Sequence, residues 1–227
     1  MAVPAYQLRY SARRRTLQLQ IKAGQLWVAA PVGLSVRQIE AFIQQKSAWV
    51  EQHLSAPLPQ VPDWLGLGEL PYLGRRLQLK VVIDVLNAWT LEGDTLWLQL
   101  SSRNKAVNQR RWMQQLVQQF YASETELWFN TQAPGLAAAM GLRYQAIQSG
   151  DFKRKWGSCN SKGELQFNWR LMMAPPWICT YLLVHELAHL QHMNHSPDFW
   201  QLVAAHNADA KKARLWLRQN QHWMQLI

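Results

Sequence analysis

The segment His185-Glu186-Leu187-Ala188-His189 constrains this chain more than any other. It reads H-E-x-x-H and lies in an apolar run, Ile178 to Leu190, long enough to be a buried helix. Residues four apart on a helix share one face, one turn above each other. Two imidazoles placed that way can bind one Zn²⁺, and the glutamate beside the first can reach a water held there and act as general base. Two histidines and a glutamate on an otherwise apolar helix are costly to bury without partners. The pattern therefore asks for a fold that packs most of this helix in a core and opens the remaining face to a metal and solvent.

A catalytic zinc takes three protein ligands and keeps one position open. No glutamate follows Glu186, so a downstream glutamate ligand is excluded. The remaining candidates are His192, His195, Asp198, His206, Asp209 and His222. His195 fits best, because it completes the third-histidine spacing of metzincins. On a straight helix it would stand about 9 Å beyond His189, too far for three nitrogens to share one ion at about 2 Å each. The helix must stop and the chain turn back. Metzincins turn on a glycine where this chain has His192. Asn194 is then the nearest residue that tolerates a left-handed backbone. Ser196-Pro197 reads as the N-cap and first position of a new helix. Asp209 is the runner-up ligand, and surface or core placement accounts for His192, His206 and His222. Cys159 reads as a loop thiol or spare ligand, and Cys179 as a small buried apolar residue.

Composition bounds the rest. With 227 residues and 48% hydrophobic content the chain can bury a sizeable core. Its 13 tryptophans are dispersed, which suits core and groove packing better than one cofactor box. Met1-Ala2-Val3-Pro4 opens no charged-then-apolar signal peptide. No apolar run reaches membrane-spanning length, so no membrane partner is expected. Two cysteines outside any C-x-x-C make no disulfide framework, which points to a reducing cytoplasmic setting. The net charge of +10 is gathered in clusters such as Arg13-Arg14-Arg15, Lys153-Arg154-Lys155 and Lys211-Lys212 with Arg214 and Arg218. Such a surface attracts nucleic acid or an acidic partner, although no recognition motif accompanies it.

The patterning predicts an α+β chain. Two strands are expected over Tyr6 to Ala30, turning at Ala23-Gly24, then a helix opened by a Ser35–Gln38 capping box and running to Leu54. A loop over 55–71 precedes strands at Leu77–Val85 and Leu96–Leu100, turning at Glu92-Gly93-Asp94. A long helix from Asn104 to Thr131 should end before Pro134-Gly135, with a short helix to Met140. Strands at Tyr144–Ser149 and Glu164–Trp169 flank a charged, glycine-rich stretch, Phe152–Gly163. Pro175-Pro176 starts the metal helix, and helices at Pro197–His206 and Ala208–Gln219 close the chain. The division expected is a β-rich region with one helix over 1–100 and a metal-binding domain over 101–227.

The blocks Arg154-Lys155-Trp156-Gly157-Ser158-Cys159, Asn168-Trp169-Arg170-Leu171, Val184 to Leu190, Asn194-His195-Ser196 and Phe199-Trp200 occur in an order that resembles the YgjP-like metallopeptidase family, relatives of the SprT-like and WLM zinc proteases. Arg14 to Leu17, Ala30-Pro31 and Pro71 to Arg75 extend the resemblance over nearly the whole chain. Thr180 departs from it, standing where the family is expected to carry an acidic residue. The resemblance implies a β-rich N-terminal region and a zincin-like helical core with a small antiparallel sheet. It also implies Zn²⁺ held by His185, His189 and His195, and Glu186 as catalytic acid/base on a protein or peptide substrate. Arg154, Tyr181 and His206 are the candidates for stabilising an oxyanion. Glu164–Trp169 is the strand expected to border the cleft. The basic surface admits a second reading, a protease acting on proteins bound to DNA or RNA. A non-catalytic zinc scaffold is a third.

Overall fold

The computed structural model describes residues 3–22, 24–55 and 61–226. Met1-Ala2, Ala23 of the expected turn and 56–60 of the expected loop lie outside them. The chain divides into two compact units, 1–60 and 61–227.

In the first unit β1 (Tyr6–Ser11), β2 (Gln18–Lys22) and β3 (Gln25–Pro31) form a sheet in the order β1-β3-β2. β3 alternates, burying Leu26, Val28 and Ala30 against Ile39, Ile43 and Val50. The segment read as two strands makes three, because Tyr6–Ser11 pairs in parallel with β3. Ser35 and Gln38 form the expected capping box at the start of α1 (Val36–Gln45). The helix then breaks at Lys46 and restarts as α2 (Ser47–Leu54).

The second unit opens with α3 (Trp64–Leu67), capped by Asp63 and stopped by Gly68 at φ 66°. A four-stranded sheet follows, in the order β4 (Glu69–Tyr72), β5 (Arg75–Asp84), β7 (Thr95–Ser101), β6 (Ala88–Glu92). α3 and β4 occupy part of the segment expected as loop. Burial of Trp64, Leu65 and Leu70 holds them despite the prolines and glycines around them.

α4 (Gln109–Met140) runs 32 residues, about 48 Å, through Pro134 without ending. The proline removes one backbone donor, leaving the Asn130 carbonyl without its helical partner. Both residues are exposed, so water can satisfy that carbonyl. Ala133, Ala137 and Met140 bury the opposite face and offset a cost of about 3 kcal/mol. α4 also explains why the compact units divide near residue 60, whereas the sequence suggested 100/101. Phe120 packs on Tyr72 and Trp89 of the four-stranded sheet at centroid distances of 5.5 and 5.3 Å. Tyr121 donates to the Pro71 carbonyl at 2.6 Å. One core thus joins the sheet to the helices.

The last sheet has the order β8 (Ala146–Gly150), β10 (Glu164–Asn168), β9 (Gly157–Cys159). It is mixed rather than antiparallel. The β9–β10 hairpin lays β10 between its neighbours, antiparallel to β9 and parallel to β8. Phe167 of β10 stacks on Phe129 of α4 at 3.7 Å. The chain passes through a 3₁₀ segment, Trp169–Met173, into α5 (Pro176–Ala188), then α6 (Pro197–His206) and α7 (Ala210–Asn220). Among the described residues, no helix is long and apolar enough to cross a membrane.

Candidate metal centre

α5 starts at Pro176, where a missing N–H costs nothing, and buries Ile178, Leu182, Leu183, Val184 and Leu187. Its remaining face carries His185 and His189, with ring centroids 5.0 Å apart. The helix ends with His189 as its C-cap. Tight turns follow, in which Leu190 N–H donates to Leu187 O and His192 N–H to Ala188 O. The reversal needs no left-handed Asn194. Among the described residues Leu73 is the one non-glycine with positive φ, so the turn is spread over several residues. Ser196 then caps α6 by accepting from Phe199 N–H, which fixes the residue before it, His195.

These turns bring His195 to centroid distances of 5.1 Å from His185 and 4.8 Å from His189. His185 Nε2 and His195 Nε2 face each other at 3.2 Å, and one ring nitrogen from each of the three lies within 4.8 Å of the others. Zinc–nitrogen bonds of about 2.0–2.1 Å in a tetrahedron need nitrogens about 3.3 Å apart. The three rings therefore fit a single divalent ion. Nδ1 of His189 lies 3.0 Å from the carbonyl of His192. A donor N–H there leaves Nε2 for the ion and fixes the ring's orientation. Burial, then the neighbouring His189, His195 and Arg214, lowers the His185 pKa to about 3. Burial also lowers that of His189. Both rings are thus held in the neutral form that ligates metal.

Phe199, fully buried in α6, forms the floor of the group. Its ring centroid lies 4.9, 4.6 and 4.8 Å from those of His185, His189 and His195. Trp200 stacks on His195 at 5.6 Å, and the Arg214 guanidinium from α7 lies 4.5 Å over the Trp200 ring.

Glu186 is 4% exposed. Burial pushes its carboxyl up to about 8, opposed by the charge of Lys155. Gly157 of β9 backs it so closely that a Cβ there would stand 2.6 Å from Glu186 Oε1. Gly157, Glu186, His185 and Tyr181 line a cleft of about 430 Å³. The arrangement sets three imidazoles that could hold a metal ion beside a carboxyl whose pKa burial raises.

A model of the YgjP-like metallopeptidase domain matches residues 15–220. The chain belongs to the YgjP-like metallopeptidase family. The family is one of metal-dependent proteases, and a metal ion is the cofactor it implies. No curated protein matches the sequence. A solved structure, the metallopeptidase zymogen abylysin of Pyrococcus abyssi, is similar over 41% of this chain and 95% of that one, with 20% identity and a TM-score of 0.37.

Among the described residues of this YgjP-like domain, the other candidate ligands do not join the group of three. Asp209 pairs with Lys212 at 2.8 Å, and His222 lines a neighbouring cavity. His192 contributes its carbonyl to His189. Cys159 is in strand β9, its thiol pushed up to about 11 by burial and by Glu186. Burial also raises the pKa of Cys179, whose thiol donates to Leu171 O at 3.3 Å. Thr180 back-bonds to Pro176 O at 3.1 Å. Of the oxyanion candidates, Tyr181 lines the cleft, with its hydroxyl 3.5 Å from His185 Nδ1, and Arg154 lines the next cavity. His206 lines neither. The strand bordering the cleft is β9, because β10 has partners on both sides. Phe199 as floor, Gly157 as backing and Arg214 as flank were not legible as roles. The signals were present, since Phe199-Trp200 and Gly157 stand in the family blocks.

Proposed function

We propose that this chain is a zinc-dependent peptidase in which Glu186 is the general base. The convergence of three imidazoles beside a buried carboxyl, at a cleft lined by His185 and Glu186, carries the reading. His185, His189 and His195 would hold the ion. When bound, Zn²⁺ supplies Lewis acidity toward the scissile carbonyl and lowers the pKa of the attacking water.

The chain's own groups do the rest. Glu186 takes the proton of the attacking water and passes it to the leaving amine. Burial raises the pKa of this carboxyl, which makes its ionised form a stronger proton acceptor. Gly157 and β9 hold the carboxyl in place, and β9, as an edge strand, offers backbone groups to an extended peptide. Of the oxyanion candidates Tyr181 is the one that lines this cleft, and its pKa of about 12, raised chiefly by burial, keeps the hydroxyl protonated. Two free thiols, Cys159 and Cys179, support a reducing compartment such as the cytoplasm.

The test is Glu186→Gln assayed against a peptide library. Hydrolysis should fall by about 10²–10⁴-fold with zinc still bound. Retained activity would remove Glu186 as the base. The net charge of +10 favours a second reading, in which the protease acts on proteins bound to nucleic acid. Salt-dependent electrophoretic shifts at two ionic strengths test it.

A further inference from the structure

The charge around the cleft is one-sided, and the hydrolytic step does not use it. The cleft shares Lys155, Trp156 and Gln221 with a second cavity, and Arg214 and Arg218 with a third. The three adjoin to form one groove, and His185 and Glu186 line its central cavity. Lys153, Arg154 and Lys155 line one arm, and Lys211, Arg214 and Arg218 the other. All six are exposed. Among the described residues none of the six pairs with a carboxylate. Arg170 also lines the groove, but Asp151 neutralises it. Glu186 is the one carboxylate in the linings, and it belongs to the reaction centre.

Two of these cations are held in place. Lys155 Nζ donates to Ser158 Oγ at 2.9 Å and lies 4.2 Å over the Phe152 ring. Arg214 rests on Trp200, which itself stacks on His195. Unpaired cations fixed on both sides of a cleft leave a field that attracts anionic groups and repels cationic ones.

We infer that the groove selects polypeptide segments carrying Asp or Glu on both sides of the bond to be cut. This rests on the peptidase reading above. A nucleic acid strand would satisfy the same cations, but it would fill the cleft in front of Glu186 and exclude the peptide. Acidic side chains bring their charge in with the substrate and leave the centre free for its backbone.

The experiment uses the full-length, zinc-loaded protein and three quenched fluorescent peptides with one central sequence, flanked by Glu, Gln or Lys. At about 0.1 M salt the Glu peptide should exceed the Gln peptide in kcat/KM by about tenfold, with the Lys peptide lowest. The ratio should fall toward one at about 1 M salt, where the Debye length shrinks from about 10 Å to about 3 Å. It should also fall in a Lys155→Gln, Arg214→Gln variant. Equal cleavage of all three peptides overturns the inference and leaves the peptidase reading standing. Fluorescence anisotropy with the Glu186→Gln protein gives a readout free of turnover. Tighter binding of the Glu peptide supports the inference even where no peptide is cut, and equal binding overturns it. An oligonucleotide that displaces the Glu peptide below that peptide's own Kd also overturns it, in favour of nucleic acid.

Discussion

Gly157→Ala isolates the position of Glu186 from its chemistry. The new Cβ would stand 2.6 Å from Oε1 and 2.9 Å from Cδ and Cγ of Glu186, where ordinary contact begins near 3.4 Å. The carboxylate must retreat by about 0.8 Å, and its burial leaves it little room to do so by a simple rotation. A misplacement near 1 Å at a reacting group costs about 10²-fold in rate. The backbone does not resist the change, because Gly157 is a strand residue outside the positive-φ set. Alanine there lowers the entropy of the unfolded chain by an amount worth about 0.4–1 kcal/mol, which opposes the cost of the contact. The expected variant folds near the wild-type Tm, holds one zinc and loses about two orders of magnitude in kcat/KM. Peptide-library initial rates, zinc by mass spectrometry and a thermal melt read the three quantities. Wild-type turnover in a fully zinc-loaded Gly157→Ala protein would refute the argument that β9 sets the carboxylate.

Three further perturbations follow the same geometry. Phe199→Ala removes the ring under all three imidazoles and should cost about 3–5 kcal/mol in denaturant unfolding, with weakened zinc retention. Phe199→Leu should retain most of both. Asn168 is 2% exposed, donates to Phe152 O at 2.8 Å and Lys155 O at 3.1 Å, and accepts from Arg170 N–H. Its replacement by Ala should cost about 2–3 kcal/mol and raise hydrogen exchange over 152–157; unchanged exchange there speaks against it as the anchor of that loop. Chelation of a zinc-loaded sample should lower the Tm by an amount that grows with free zinc beforehand, about 4 kcal/mol at a thousandfold excess over Kd. His195→Ala should abolish that difference, and a chelator-sensitive Tm in this variant would separate His195 from the ion.

The region from Pro175 to His206 was readable because its polar residues have few ways to be buried. Ser196-Pro197 marked a helix start, and His195 could meet His189 only across a turn. The means of that turn was not readable, since a run of tight turns leaves no single residue as a mark. Pro134 misled because a local rule gives way where the proline faces water and its neighbours fill a core. β9 escaped notice because three residues, Gly157, Ser158 and Cys159, carry too short an alternation to show a strand. The 100/101 boundary followed the change from predicted strands to a predicted long helix. Contacts such as Tyr121 with Pro71, fifty positions apart, tie the second sheet to the helices and leave no trace in local pattern.

His185 and His189 come from one helix, whereas His195 arrives with the cap of the next. An emerging chain therefore has at most two-point attachment for an ion until α6 docks. The Phe199 ring lies against all three imidazoles, so the docking of α6 and the closing of the triad go together. Under the proposed peptidase reading, a partly folded molecule would lack the complete centre.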